Sequence, residues 1–237
     1  LRPDGQAVRV ARMDADSVRL KGALQEQLAQ VHAGAVDVLV GTQMVTKGHD
    51  FRRITLVAAL QADAALFSSD FRAPERLFAL LLQAAGRAGR DAAQAACSQM
   101  WVQTWNPGHP LFTALRRNDY PAFAAQQLKE REQAGMPPFG FQALVRAEAR
   151  TQETAQAFLQ AASEAAQALA ADHGVTLYSA VPMSVQRVAN VERAQMLVES
   201  ASRAALQRFL AQWRPLLQAS RQRGLLRWAI DVDPLAI

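Results

Sequence analysis

The sequence predicts an α/β protein in which a parallel sheet in the first half is followed by an α+β segment in the second half. From about residue 7 to 104, short apolar runs alternate with helical patterns, and strand–helix–strand repetition builds a parallel sheet. After residue 140, the patterns follow the order β-α-β-β-α-β, the split βαβ or ferredoxin-like arrangement. Because turn residues cluster between the two halves, we expect two domains joined by a connector.

Four strands are predicted in the first half: VRVAR (8–12), VDVLVGT (36–42), ITLVAAL (54–60) and QMWVQT (99–104). The second and third are apolar almost throughout, which is typical of parallel strands covered on both faces. We therefore expect helices on both faces of this sheet.

Helical spacing predicts two helices between these strands. Gly34 can end the first, whose apolar stripe is Leu20, Leu24, Leu28 and Val31. The second begins near Pro74, a residue suited to a first helical turn. Its inward residues are Leu77, Phe78, Leu81 and Leu82.

The connector contains two turn clusters and two helices. NPGHP (106–110) opens it, helices follow over 110–119 and about 121–134, and GMPPFG (135–140) ends it. We assign residues 1–117 to the first domain, 118–140 to the helical connector and 141–237 to the second domain.

The second domain begins with the strand 141–149. Thr151 and Ser202 are placed to cap the helices 152–171 and 203–218. Inward residues are Phe158, Leu159 and Leu169 on the first helix, and Leu206, Phe209, Leu210 and Trp213 on the second. The remaining strands are 175–181, 193–200 and 225–232, and a polar loop that includes 184–193 joins the first two.

Composition excludes several classes of protein. The chain has 237 residues, of which 26 are basic and 21 acidic, so a net charge of +5 permits a polyanionic partner without requiring one. Cys97 is the only cysteine, which excludes an internal disulfide, and we expect it to be buried. No apolar run approaches the roughly 20 residues that span a bilayer. The chain begins at Leu1 within a loop-like stretch, and we interpret it as a piece of a longer protein.

A polar, glycine-containing loop, GTQMVTKGHDF (41–51), follows the second strand. The carboxyl ends of parallel strands are where open α/β sheets bind ligands. The loop offers donors for phosphate oxygens, a permissive glycine and an acceptor, namely Thr42, Gln43, Lys47, Gly48 and Asp50. Two interpretations fit it: a phosphate-binding loop, or an ordinary connection with a solvated lysine.

A second motif, QAAGRAGR (83–90), places Gln83, Arg87 and Arg90 among residues with almost no side chain. On a continuous helix these three would share one face, although Gly86 and Gly89 would each cost that helix about 1 kcal/mol relative to Ala. Arginines across a cleft neutralise charge on a transferring γ-phosphoryl group, and a planar guanidinium binds two oxygens at once. The alternative is a helix ended by glycine with two exposed arginines.

Together the two motifs resemble motifs V and VI of the superfamily 2 helicases. QAAGRAGR matches the pattern Q-x-x-G-R-x-G-R of motif VI, and GTQMVTKGHDF is similar to motif V of the primosomal replication-restart helicases. The resemblance to that family runs over essentially all of the chain. It includes DAALFSSDFRAPERLFALLLQAAGRAGR (63–90), QTWNPGHPLF (103–112), MPPF (136–139) and DVDP (231–234).

The resemblance implies a second RecA-like helicase lobe followed by a C-terminal domain similar to ribosomal protein S10. ATP would lie between two lobes, with Arg90 touching the γ-phosphate, Arg87 supporting it and Gln83 reaching the same site. The resemblance also assigns Gly48, Asp50 and Gly86 to nucleotide binding on the same side of ATP.

The resemblance implies contacts with branched and single-stranded DNA through Thr42, Gln43, Lys47, Arg187 and Arg193. The last two lie in the predicted polar loop. That loop is less basic than in many relatives.

The resemblance also implies protein partners. Arg203 and Gln207 form an i, i+4 pair that resembles part of a pocket for the acidic C-terminal tail of single-stranded DNA-binding protein. Two solvated helix residues are the alternative interpretation of this pair. Other primosome proteins are expected partners, no membrane is, and the expected location is the bacterial cytoplasm, in association with the nucleoid.

Several family motifs are missing from this chain. The sequence has no G-x-x-x-x-G-K-[ST] phosphate loop, no acidic DEAH-like motif for Mg²⁺ and no paired cysteines for zinc. We therefore expect the site for ATP and Mg²⁺ to be completed by an N-terminal lobe outside this sequence. Zinc is expected only in the region upstream, and the chain alone should be inactive as an ATPase.

The leading hypothesis is the C-terminal part of an ATP-dependent 3′-to-5′ DNA helicase that recognises stalled forks and initiates replication restart. A non-catalytic DNA- or protein-docking module with a relic helicase lobe is the alternative from another class. Another superfamily 2 translocase, such as a RecG-like enzyme, would explain motif VI but not DAALFSSDFR or the final DVDP.

Overall fold

The computed structural model describes residues 2, 4–14, 23–42, 54–68, 70–88 and 97–236. The chain divides into two compact units, Leu1–Ala124 and Ala125–Ile237. The first contains parallel strand pairs and the second an antiparallel sheet, which agrees with the predicted mixed α/β class. The predicted domain limits at residues 117 and 140 stay predictions.

The first unit contains short strands and helices in alternation, and its last helix continues into the second unit. In chain order the elements are β1 (Val10–Met13), α1 (Ala23–His32), β2 (Val38–Gly41), β3 (Leu56–Ala59), α2 (Ala62–Leu66), α3 (Ala73–Ala85), β4 (Gln99–Val102), α4 (Pro110–Arg117) and α5 (Tyr120–Gln133). Each lies within or next to a segment predicted from hydrophobic periodicity, except the short helix α2, which the apolar pattern did not indicate. Gly34 follows α1 with a positive φ of 73°, as expected of a residue that ends a helix.

The strands of the first unit form two parallel pairs. β1 runs beside β2 from Val10↔Val38 to Met13↔Gly41, and β3 runs beside β4 from Leu56↔Gln99 to Ala59↔Val102. The Arg9 guanidinium ties the start of the first pair to Asp37, donating to both carboxylate oxygens at 2.8 and 3.1 Å. This bidentate bond holds the pKa of Asp37 far below its usual range.

The core of the first unit forms on one side of the β3–β4 pair. Apolar residues of α2, α3, α4 and α5 pack together there, and Ala59, Met100 and Val102 of the strands pack against them. Phe78 of α3 stacks on Phe123 of α5 with ring centroids 4.6 Å apart. Pro74 lies in the first turn of α3, as its fixed φ favours.

The strands of the first unit are not covered on both faces as the sequence predicted. Leu56 of β3 and Trp101 of β4 are 47% and 61% exposed, and Val38 and Val40 of β2 are 44% and 53% exposed. An apolar run predicts that a strand can be buried on both faces, but it does not state whether helices are available to cover them. In the part of the chain that the structure describes, the helices of the β3–β4 core pack on one face only.

Two predicted burials are wrong. Leu82 is 38% exposed, because five residues beyond Leu77 correspond to about 140° of rotation around the helix, away from the core. Cys97 is exposed. It precedes β4, whose outward positions Gln99 and Trp101 are exposed as well.

The second unit is built on one antiparallel sheet with two long helices. Its elements are β5 (Phe141–Ala149), α6 (Gln152–His173), β6 (Val175–Leu177), β7 (Val181–Val188), β8 (Val191–Ser200), α7 (Arg203–Ala219) and β9 (Leu225–Val232). The strand order is β6-β8-β5-β9, and β7 pairs with β8 as well. The predicted caps are confirmed, since the hydroxyls of Thr151 and Ser202 accept from the N–H groups of Thr154 and Ala205.

Alternation along β5 and β8 separates two faces of this sheet. Ala143, Val145, Ala147, Ala194, Met196 and Val198 face the helices and are fully buried. Phe158 and Leu159 of α6, with Leu206, Phe209 and Trp213 of α7, complete this core. The Trp213 indole N–H donates to the Ala162 carbonyl at 3.1 Å, which satisfies its buried polar group. Leu169 is only partly buried.

The predicted polar loop at 184–193 is wrong, because the segment is a β-hairpin. β7 continues to Val188, β8 begins at Val191, and Ala189 and Asn190 form a two-residue turn with φ of 49° and 63°. Positive φ at both central residues is the geometry whose twist matches that of the flanking strands. Glycine, the usual marker of such a turn, is absent here, so polarity suggested a loop.

Candidate functional site

The QAAGRAGR motif lies at the end of α3, and the helix does not continue through it. α3 ends at Ala85, and the Arg87 N–H donates to the Ala84 carbonyl at 3.0 Å in the turn that follows. A continuous helical face therefore does not extend from Gln83 to Arg87, because Gly86 favours the end of the helix. Gln83 is exposed on the last turn of α3 and Arg87 is half-buried beyond it. Arg90 lies outside the described residues.

Gly86 is not required by the geometry of the described chain. Its φ of −67° is accessible to any residue. A Cβ at this position would lie 3.6 Å from the carbonyl oxygens of Leu82 and Gln83, which is ordinary contact.

The segment GTQMVTKGHDF (41–51) begins at Gly41, the last residue of β2. Thr42 follows Gly41, the last residue of the strand, and is exposed. The structure thus places a hydroxyl at the carboxyl end of a parallel strand. Gln43, Lys47, Gly48 and Asp50 lie outside the described residues.

Sequence reasoning missed a hydrogen-bonded centre at Asp63 in α2. The Asp63 carboxylate accepts from the Thr104 hydroxyl at 2.8 Å, the Asn106 amide at 2.9 Å and the Trp105 N–H at 3.0 Å. The bond from Asn106 and those from Trp105 and Thr104 lower the pKa of Asp63 below its ordinary value. This carboxylate joins DAALF to QTWNP, two stretches that sequence analysis had recognised only separately. It also holds Trp105 with its side chain 90% exposed.

The hairpin arginines do not share a face. Arg187 lies opposite Glu192 in the β7–β8 register, with guanidinium and carboxylate 3.5 Å apart, and it donates to Asn190 Oδ1 at 2.8 Å. Arg193 is the next residue after Glu192, so its side chain leaves the other face of the sheet. There it lies opposite Glu148 of β5, and its Nε is buried without a hydrogen-bond partner. A DNA strand on one face would meet only one of them.

Arg203 and Gln207 are both exposed in the first two turns of α7. Arg203 is already engaged, since its guanidinium donates to Asp233 Oδ2 at 2.7 Å and lies 4.8 Å from the ring centre of Phe141. Asp233 belongs to the DVDP stretch near the end of the chain. An incoming carboxylate would therefore compete with Asp233 for Arg203.

Neither a membrane-spanning helix nor a metal site is found among the described residues. None of their helices combines the length and the apolar character that a bilayer crossing requires. No group of three or more His, Cys, Asp or Glu side chains among them is arranged to hold a metal ion.

The sequence of this chain is similar to those of proteins that act in the restart of replication. Residues 132–235 match the family of the primosomal protein N C-terminal domain. Proteins named replication restart protein PriA are similar over nearly the whole chain. The one from Haemophilus influenzae is 41% identical over 226 residues, covering 95% of this chain and 30% of the relative. Those from Synechocystis and Treponema pallidum are each 36% identical over 97% of this chain and cover 27% and 34% of the relative.

The chain belongs to the PriA family of replication restart proteins and corresponds to its C-terminal portion. It spans about a third of the length of the curated relatives that it matches.

Proposed function

We propose that the chain is the C-terminal part of an ATP-dependent 3′-to-5′ DNA helicase that recognises stalled replication forks and initiates primosome assembly. The observation that carries this proposal is the placement of Gln83, Gly86 and Arg87 where α3 ends, in a chain whose relatives are replication restart proteins. The protein would act in the bacterial cytoplasm at the nucleoid.

Two features of the fold support the finer assignment. Parallel pairs with α1, α2 and α3 between their strands fit a second RecA-like lobe. Apart from β7, the order of the second unit is β-α-β-β-α-β, with β5 and β8 at the centre of its sheet, which fits the ferredoxin-like, S10-like domain.

In the proposed site, this chain supplies one side of the nucleotide. Arg87 and Arg90 would bind phosphate oxygens, Gln83 would orient a phosphate or a water, and the bare backbone at Gly86 would admit them closely. ATP, when bound, supplies the phosphoanhydride whose hydrolysis drives the lobes. The partner lobe would hold Mg²⁺ together with the phosphate loop, whose sequence pattern this chain does not contain. Zinc would belong to the region upstream.

The test is DNA-stimulated ATP hydrolysis by the longer protein. We expect Arg90→Ala to lower kcat by about 10³-fold or more, as loss of an arginine finger does, and Arg87→Ala to lower it less. Arg90→Lys should not restore the rate, because an ammonium lacks the planar fork. Arg117→Ala, an exposed change on α4, is the control. A wild-type protein that binds forks without hydrolysing ATP would instead support the docking module.

We propose that five residues of this chain contact DNA: Thr42, Gln43, Lys47, Arg187 and Arg193. Other primosome proteins would bind elsewhere on the longer protein. The first three follow β2 in the sequence, and Thr42 lies at the carboxyl end of that strand, where open α/β sheets bind ligands. The two hairpin arginines would meet different strands or different turns of a branched substrate, because they lie on opposite faces.

For Arg203 and Gln207 we propose the acidic C-terminal tail of single-stranded DNA-binding protein as the partner. Because Asp233 occupies Arg203, Asp233→Asn should bind a peptide with an acidic C-terminus several-fold more tightly, whereas Arg203→Ala should bind it at least tenfold more weakly. Asp231→Asn, which removes a carboxylate paired with Arg146, is the matched control. Fluorescence anisotropy measures the affinities, and weaker binding by Asp233→Asn would refute the competition.

A further inference from the structure

Strand β9 lies at one edge of the sheet in the second unit. Among the strands that the structure describes, β9 pairs with β5 on one side and has no partner on the other. Its eight residues include no proline and no lysine, and its two charged residues are Arg227 and Asp231. Native proteins usually protect edge strands by keeping them short or by placing lysine, proline or bulges in them, because an open edge can pair with another strand. The ladder to β5 is regular over 227–232, so this stretch is an open edge with little protection.

The hydrogen bonds between β9 and β5 show which backbone groups of β9 are free. The Asp233 N–H, directly after the strand, donates to the Gln142 carbonyl at 2.9 Å and thereby sets the alternation along the ladder. The odd-numbered residues of the stretch bond to β5. Trp228, Ile230 and Val232 direct their N–H and C=O groups to the free edge instead. An added strand would bond to these three residues.

The side chains along this edge alternate between the two faces of the sheet. Trp228 and Ile230 lie on the face that carries the helices, where they pack on the core and stay partly exposed. Arg227, Ala229 and Asp231 lie on the opposite face. The edge is therefore apolar on the helix side and charged on the other side.

The two charged side chains are held in place by β5. Arg227 donates to Glu148 at 2.8 Å, and Asp231 pairs with Arg146 at 3.0 Å. The Arg227 side chain is nevertheless 73% exposed and that of Asp231 40% exposed. Because a guanidinium has five donors and a carboxylate can accept several hydrogen bonds, each can contact a second group of opposite charge.

A second copy of β9 complements the first when the two pair antiparallel about Ala229. In this register Trp228 of each copy lies opposite Ile230 of the other, as hydrogen-bonded pairs that use the free backbone groups. Arg227 and Asp231 lie opposite each other as non-hydrogen-bonded pairs, whose side chains are closer together. A two-fold axis at Ala229 repeats every contact, which is the property of an isologous interface.

Neighbouring registers lose this match. Because outward backbone groups must meet outward groups, one strand can shift only by two residues at a time. A shift in one direction puts Arg227 opposite Ala229. The opposite shift puts Asp231 opposite Ala229. It also puts Arg227 opposite Asp233, whose carboxylate already binds Arg203. Charge therefore selects the register centred on Ala229.

We propose that β9 is a dimerisation strand, through which two copies of this chain form one continuous sheet. The interface would join the ion pairs of both copies in a row that alternates in sign. The row runs from Glu148 and Arg227 of one copy to Asp231 and Arg146 of the other. Opposite charges and apolar pairs directly across two strands both stabilise a sheet. This inference goes beyond the proposed function and does not depend on it.

Sedimentation of residues 1–237 over a range of protein concentrations is the first test. We expect a reversible equilibrium between monomer and dimer. Ala229→Lys places two like charges opposite each other at the two-fold axis, and Ala229→Asp does so with the other sign, so each should raise the dissociation constant at least about tenfold. An equimolar mixture of the two variants should recover the dimer, because an ammonium then faces a carboxylate. Ala211→Lys, an exposed change on α7, should leave the equilibrium unchanged.

Several results of this experiment would overturn the proposal. A chain that stays monomeric at every concentration would show that the edge of β9 does not bind a second copy. A dimer that neither Ala229→Lys nor Ala229→Asp weakens would have its interface elsewhere. The same conclusion would follow if the mixture associated no better than either variant alone.

Disulfide cross-linking tests the register even if the charged variants fold poorly. In a Cys97→Ser background, which removes the exposed native thiol, Ala229→Cys should form a covalent dimer under mild oxidation. Opposite residues of a non-hydrogen-bonded pair have Cα atoms about 4.5 Å apart, which is within the range of a disulfide. Arg227→Cys alone should not cross-link, whereas its mixture with Asp231→Cys should. Ala211→Cys is the control for random collision, and cross-linking of Arg227→Cys as efficient as that of Ala229→Cys would refute the register.

Discussion

At the scale of single residues, the chain contains polar contacts that no local pattern announces. Asp63 binds three groups that follow it by more than 40 positions, and Arg203 binds Asp233 thirty positions away. Sequence analysis recognised DAALF, QTWNP, DVDP and Arg203 as separate features. Hydrogen bonds join these features. They form because β4 pairs with β3 and β9 pairs with β5, which brings residues distant in the sequence close together.

We predict that Asp63→Asn lowers the melting temperature by a few degrees at neutral pH, because an amide cannot accept from all three donors. The folded-state pKa of Asp63 lies below the ordinary value of 3.8, so its stabilisation is present above that value and is lost as pH falls through the lowered one. The difference between wild type and variant should therefore be constant above about pH 5 and shrink in acid. Thermal unfolding from pH 3 to 7 tests this, with Glu132→Gln on α5 as control. A difference that persists unchanged at pH 3 would contradict it.

At the scale of elements, hydrophobic periodicity predicted which helices and strands exist better than it predicted the residues at which they begin and end. β5 and β9 have the predicted ends, and α7 differs from the prediction by one residue at its C-terminus. These segments pack on one face, so alternation or helical spacing is strong in them. β7 was missed because its turn contains Ala and Asn where such turns usually carry glycine.

For the hairpin, we predict that Ala189→Asn raises the free energy of unfolding by up to about 1 kcal/mol, because Asn tolerates the left-handed region better than Ala does. Ala168→Asn is the matched control, since the same change within α6 should destabilise by a few tenths of a kcal/mol. Urea unfolding of both variants gives the comparison. Equal changes in the free energy of unfolding for the two variants would show that Asn does not relieve backbone strain in the turn.

At the scale of the whole molecule, the proposed nucleotide site would have two sides, of which this chain would supply one. Gln83, Gly86 and Arg87 lie where α3 ends, and the sequence has no G-x-x-x-x-G-K-[ST] phosphate loop.

We predict that residues 1–237 alone do not hydrolyse ATP, with or without DNA, yet still bind DNA. A coupled assay for released phosphate and an anisotropy titration on the same preparation measure both properties. Hydrolysis at a rate that Arg90→Ala leaves unchanged would refute the two-lobe site for this chain.

The amino-acid sequence by itself determined the α/β-then-α+β class, most of the elements, the caps at Thr151 and Ser202, and the resemblance to replication-restart helicases. These depend on local spacing and on short motifs, which are readable without coordinates. Only the tertiary structure decided that α3 ends before Arg87, that Arg187 and Arg193 leave opposite faces of the sheet, and that Arg203 is already bound. The physical reason is that helix ends, strand faces and ion pairs depend on which distant groups come within hydrogen-bond reach, and chain spacing does not contain that information.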